Sequence, residues 1–176
     1  MSWRLRISEV GLLIVDVQEK LVAVVKEPAG WVERVEILVK AAKILEIPMA
    51  ITEQAPAKLG KTVAGIVQAA GKASPVAKTA FSAVEAGRNL GKRRILVAGC
   101  EAHFCVRQTI YDLRQKEVQP VMVADAVGSR READRQLALQ EMRQDGIVIA
   151  STEAVLFELL ETAEHPKFKE VQGLVK

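Results

Sequence analysis

Aromatic side chains make up only 4% of this 176-residue chain, against 49% apolar and 27% charged residues. A core must therefore be assembled from Val, Leu, Ile and Ala, the mixture that fills parallel strands buried on both faces. Cysteine is as scarce: Cys100 and Cys105 are the only two. In a reducing compartment they are not expected to form a structural disulfide. The two histidines, His103 and His165, have no metal-ligand spacing to each other or to the cysteines, so neither metal nor cofactor is expected. No apolar run approaches the ~20 residues that span a bilayer. The opening Met-Ser-Trp-Arg-Leu-Arg also lacks the apolar segment of a secretory leader. A cytoplasmic protein without a membrane partner is expected. The net charge of +3 is scattered, with short clusters at Lys92-Arg93-Arg94 and Arg130-Arg131 and no interleaved aromatics to stack bases. Nucleic acid is not an expected partner.

What is present is a regular alternation of short apolar runs and helical spacing. Gly11–Val17 reads as a buried strand closed by Asp16, and 31–46 as a helix with Val32, Val35, Leu38, Val39, Ala42 and Leu45 on one face. Strands follow at 48–52, 75–78, 94–98, 121–124 and 147–150. Helices are expected at 62–70, 82–90, 105–116, 132–144 and 153–160, with a short one after Pro166. Strands separated by helices imply a parallel sheet with right-handed crossovers. The expectation is one α/β domain over 1–176, a three-layer αβα, doubly wound six-stranded parallel sheet of Rossmann-like type.

In such a sheet ligands bind beyond the carboxyl ends of the strands. Asp16 closes the first strand, Lys78 the third, and Cys105 follows the fourth. A polar residue at a strand end is commonly a solvated loop entry or a cap, and a free cysteine a small buried hydrophobe. Their coincidence on one edge suggests a mechanism. Cys105 attacks a carbonyl carbon, Asp16 takes its proton, and Lys78 holds Asp16 ionised and helps stabilise the moving charge. Backbone amides between Gly99 and Cys105 receive the oxyanion.

The resting state follows from magnitudes. Lowering a thiol pKa from ~8.5 to ~6 needs about 3.4 kcal/mol. A cation at ~4 Å supplies about 4 kcal/mol at an effective dielectric near ~20, and a carboxylate at like distance opposes it by as much. A helix terminus adds only about 0.3–2 kcal/mol. Cys105 is therefore expected to rest as a thiol. His103 remains an alternative base, although residues two apart on a helix point to different sides. Cys100 reads as packed.

These residues resemble the isochorismatase-like cysteine hydrolase superfamily, which includes nicotinamidases and N-carbamoylsarcosine amidase. The resemblance rests on Leu13-Ile14-Val15-Asp16-Val17-Gln18, Lys78-Thr79-Ala80-Phe81-Ser82, and the Gly99 to Val106 segment continuing into Thr109 and Asp112-Leu113. Ala124-Asp125-Ala126 and Glu141-Met142 extend it over nearly the whole chain. Thr52-Glu53-Gln54, Leu59-Gly60, Glu101-Ala102 and His165 to Glu170 are similar to the isochorismatase-domain-containing subgroup. Some members are described as ribonucleases, an activity for which no residue here speaks.

The resemblance implies a cis peptide between Cys100 and Glu101, turning the backbone amides of Glu101 and Cys105 toward one oxyanion. It also implies a homo-oligomer assembled through the helix after the nucleophile strand. Nicotinamidases carry an Asp-x-His metal site where this chain has Glu53-Gln54-Ala55-Pro56, so a metal-gripped pyridine substrate is not expected. True isochorismatases lack the cysteine, which disfavours vinyl-ether hydrolysis. Ala102 stands where Thr is frequent.

The leading expectation is a cysteine hydrolase acting on a small-molecule substrate through an amide, ureide or related C–N bond. Gln18, Gln54, Phe81 and Phe104 are candidate pocket residues, each with an alternative as packing or capping. A non-catalytic binding or scaffold protein and a thiol redox role for Cys100 and Cys105 are the competing classes.

Overall fold

The computed structural model describes residues 4–176, so Met1, Ser2 and Trp3, on which the expectation of no secretory leader and the start of the 1–176 domain fall, lie outside the described residues. The first strand, β1 (Val10–Val15), is buried at every position. Leu12 and Ile14 face one apolar layer and Leu13 and Val15 the other. Burial on both faces is why its sequence reads as a continuous apolar run rather than an alternation. The chain then makes the short α1 (Glu19–Val22), the long α2 (Trp31–Ile44) and β2 (Met49–Gln54), followed by α3 (Pro56–Leu59), α4 (Ala64–Ala70) and β3 (Val76–Lys78). It continues through α5 (Val84–Arg88), β4 (Arg94–Cys100), a π-helical turn (Ala102–Val106), α6 (Arg107–Gln115), β5 (Gln119–Gly128), α7 (Glu132–Gln144), β6 (Val148–Ala150), α8 (Thr152–Leu160) and α9 (Phe168–Gln172).

Among the described residues the six strands form one sheet in the order β3-β2-β1-β4-β5-β6, and every pairing is parallel. One face packs on α2, α4 and α8 through Val35, Leu38, Ile66 and Leu156. The other packs on α6 and α7 through Ile110, Leu113, Leu139 and Met142. The strand order winds outward from β1 to β3, then returns to β4 and winds the other way. The topological switch point falls between β1 and β4, where open α/β sheets present their ligand crevice.

Several element ends differ from the sequence reading, each for a tertiary reason. β2 runs on to Gln54 because Thr52, Glu53 and Gln54 pair with β3. Thr62 stays outside α4, since its amide (2.6 Å) and hydroxyl (2.8 Å) both donate to Glu53. β5 extends four residues past Ala124 across a register shift that takes Val97 opposite Met122 and Gly99 opposite Val127. The buried Arg135 of α7 donates to the carbonyls of Ala124 and Val127 and holds this irregular stretch. Cys105 lies within the π-helical turn rather than opening the α-helix after it.

Candidate active site

The switch point is tight by construction. Gly99 has φ of +122°, and a Cβ there would lie 2.0 Å from the carbonyl oxygen of Val15. Only glycine lets β4 approach the end of β1 this closely. Asp16, the residue after β1, sits in the left-handed region at φ +53°, which Asp tolerates better than most residues. Its amide donates to the Thr52 carbonyl at 3.2 Å, and its side chain is fully buried.

Two donors hold the Asp16 carboxylate: the Thr52 hydroxyl donates to Oδ1 at 2.8 Å and Lys78 Nζ to Oδ2 at 2.7 Å. The Cys105 thiol is the third polar group acting on it. Burial pushes the Asp16 carboxyl above its ordinary range, with the Lys78 charge and the hydrogen bonds from Lys78, Thr52 and Cys105 pulling the other way. Burial also pushes the Cys105 thiol up to about 12, the negative charge of Asp16 adds to this, and Lys78 opposes it. Cys105 rests protonated, under the influence of a carboxylate.

Lys78 ends β3 opposite Gln54 of β2. Besides Asp16, its ammonium donates to Gln54 Oε1 at 2.8 Å and to the carbonyls of Phe81 at 2.9 Å and Ala80 at 3.1 Å. An ammonium has three hydrogens, and four protein acceptors surround this one. Its hydrogens are committed.

The two glutamines frame that arrangement. Gln18 is fully buried. Its Nε2 donates to the carbonyls of Gln54 (3.1 Å) and Gly60 (2.7 Å), and its Oε1 accepts from the Gln54 amide at 2.7 Å. Every polar atom of its side chain thus holds backbone. Gln54 in turn donates Nε2 to the Thr79 carbonyl at 2.8 Å while accepting from Lys78.

The peptide bond between Cys100 and Glu101 is cis. From there the π-helical turn closes as the amides of Phe104 (3.0 Å) and Val106 (3.2 Å) donate to the Glu101 carbonyl. Thr109, fully buried one turn into α6, donates its hydroxyl to the Cys105 carbonyl at 2.7 Å and accepts from the Ala83 amide at 2.8 Å. One side chain therefore ties the Cys105 turn to the segment after Lys78. Phe81 and Phe104 join the same two segments from outside. Their rings are half exposed, with centroids 4.4 Å apart and an interplanar angle of 46°.

The remaining polar groups face elsewhere. Cys100 is fully buried, donates Sγ to the Asp16 carbonyl at 3.2 Å, and is pushed well up by burial. His103 Nδ1 lies 3.1 Å from Ser129 Oγ just past β5, while the carboxylate acting on the Cys105 thiol is that of Asp16. The Glu101 carboxylate accepts from the amide (2.9 Å) and Nε (3.0 Å) of Arg130. Among the described residues no cluster of three or more His, Cys, Asp or Glu side chains could hold a metal ion, and no helix is long and apolar enough to cross a membrane.

Thr52 and Thr109 carried part of the family resemblance but were given no role in the site. Beyond that, Thr52 had a faint signal, being a hydroxyl at the end of an apolar strand, and Thr109 only its helical spacing from Cys105, four residues before it.

A doubly wound parallel sheet with an acid, an ammonium and a thiol gathered beyond its central strands belongs to the α/β proteins whose reactive groups sit at a switch point. The chain belongs to the isochorismatase family: the isochorismatase domain matches residues 10–154. It is 37% identical to isochorismatase domain-containing protein 2 of Danio rerio, over 97% of this chain and 89% of that protein. With the Homo sapiens protein of that name it shares 36% identity, covering 94% of this chain and 82% of the relative. The structure of MAR1 ribonuclease from Caenorhabditis elegans superposes with a TM-score of 0.93 at 36% identity, covering 98% of this chain and 92% of that one.

Proposed function

We propose that this chain is a cysteine hydrolase that cleaves a small amide, ureide or related C–N bond. One observation carries the reading: a buried carboxylate, clamped by Thr52 and Lys78, acts directly on the thiol of Cys105 and helps hold it protonated. Asp16 takes the thiol proton as sulfur attacks the carbonyl carbon, and the C–N electron pair leaves with the amine, which receives that proton from Asp16. Water then attacks the resulting thioester, Asp16 again accepting a proton, and the S–C bond breaks to restore the thiol. Lys78, with its hydrogens committed, keeps Asp16 ionised before each transfer and acts on the moving charge only through its field. The backbone amides of Glu101 and Cys105 serve as oxyanion donors. Phe81 and Phe104 flank the entrance, and Gln18 and Gln54 support the pocket from below.

The ribonuclease name belongs to the nematode relative. In this chain Lys78 has no free hydrogen for a phosphodiester and His103 pairs with Ser129, so acyl chemistry at the thiol is the better fit. Alkylation with iodoacetamide at neutral pH, mapped by mass, tests the reading. Cys105 should be labelled in preference to Cys100, and Asp16→Asn should slow labelling about 100-fold, at the low end for a lost general base. Equal labelling of both cysteines, or indifference to Asp16, would remove the proposed base. Turnover is then sought on a panel of primary amides and carbamoyl compounds, where complete inactivity would favour a binding protein.

A further inference from the structure

Thr52 meets Asp16 twice. Its carbonyl accepts the Asp16 amide at 3.2 Å, and its hydroxyl donates to Oδ1 at 2.8 Å. The first contact helps hold Asp16 in its left-handed conformation, beyond the last paired residue of β1. The second settles which oxygen faces which neighbour: with Oδ1 given to Thr52, Oδ2 is the atom left for Lys78. Thr52 is almost fully buried, and Val15 stands opposite it in the sheet, so no water is needed to orient its hydroxyl.

Resting on the reading of Asp16 as base, we propose that Thr52 is a positioning residue that sets the proton affinity of Asp16 and aims its carboxylate at the Cys105 thiol. A hydroxyl donor stabilises the ionised carboxylate and weakens its hold on a proton. It can also rotate to accept when Asp16 becomes a carboxylic acid, because a hydroxyl is both donor and acceptor. The proton from Cys105 can thus arrive without leaving a buried polar atom unpaired. Charged and titratable groups around Asp16 come from three elements: Lys78 at the end of β3, Cys100 at the end of β4, and Cys105 with Glu101 in the turn beyond. None of these is altered by a change at Thr52.

The test is the pH dependence of Cys105 alkylation in the wild type, Thr52→Val, Thr52→Ala and Thr52→Ser, with thermal midpoints recorded beside it. Removing the hydroxyl in either Val or Ala should move the acidic limb of the labelling profile upward by about one pH unit, the scale of a lost hydrogen bond to a charged group. Serine should restore the wild-type limb even if it costs stability, which a purely structural role would not predict. An unmoved limb in both Val and Ala, or a shift in Ser equal to theirs, overturns the assignment. Asp16→Asn keeps the two failures apart. If it erases the limb while Thr52→Val does nothing, only the role of Thr52 falls. If Asp16→Asn itself changes nothing, the base assignment falls with it.

Discussion

At the amino ends of β4, β5 and β6 lies a cavity of about 410 Å³, lined by Arg94, Arg114, Pro120, Val121 and Ile147 among others. At the carboxyl ends of β1, β3 and β4 the polar side chains are covered: Asp16 is fully buried and Cys105 is 5% exposed. The roomier end holds cations whose hydrogen bonds go to structural partners. Arg94 donates to the Arg4 carbonyl and Gln119, both at 3.1 Å, and to Glu9, while Arg114 caps the Asp145 carbonyl. The crowded end holds a thiol, a carboxylate and an ammonium, the last two in direct contact. Volume alone points away from the proposed site. Chemistry needs groups whose protonation is set by one another, and such groups are found where the sheet forces strand ends together.

Raising pH should expose this difference most. The folded protein keeps the Cys105 proton to about pH 12, whereas the unfolded chain releases it near 9.0. Between those values the native state binds more protons than the unfolded one, so stability present below pH 9 is lost as pH climbs. The loss is about 1.4 kcal/mol per pH unit, up to about 4 kcal/mol in all. Cys105→Ser removes this contribution. Urea denaturation from pH 8 upward should therefore show the wild type losing its advantage over the variant, and parallel curves would mean Cys105 is not the perturbed thiol. At the other end, Arg94→Met removes a buried guanidinium and strands its partners. It should cost about 1–3 kcal/mol in the same assay and leave Cys105 alkylation untouched. A change in labelling would show that the two ends are coupled.

These contrasts mirror what could be read from the chain before folding. β1 and β4 announced themselves as unbroken apolar runs because both faces are covered, and α7 matched its helical spacing from Glu132 to Gln144. The places of Asp16, Lys78 and Cys105 at or beyond strand ends were legible because each follows or ends an apolar run and matches a family pattern. The ends of β2 and β5 were not, since they depend on β3 pairing with Gln54 and on Arg135 reaching back from a later helix. Thr52 and Thr109 were hidden for a similar reason. Each works through a hydrogen bond to a partner whose position only the packed sheet and turn define. Gln18 was named as a candidate pocket residue, but the use of its side chain on the backbone of Gln54 and Gly60 could not be read from one sequence.

The smallest effect concerns how a substrate enters so closed a site. Phe81 and Phe104 bridge the Lys78 segment and the Cys105 turn by ring contact alone, while Thr109 bridges them by hydrogen bonds beneath. An exposed aromatic pair contributes about 0.5–1.5 kcal/mol, far less than the buried network below it. It is therefore the weakest link between the two segments and the cheapest place to part them. Phe81→Ala should speed labelling of Cys105 by bulky N-ethylmaleimide about 2–10-fold, the range set by that pair energy, with little change for the smaller iodoacetamide. Equal acceleration of both reagents would mean that the variant loosened the turn itself. No acceleration of either would place the entrance away from the rings, toward Glu101 and Arg130, where the amide hydrogen bond and the ion pair between them would have to open instead.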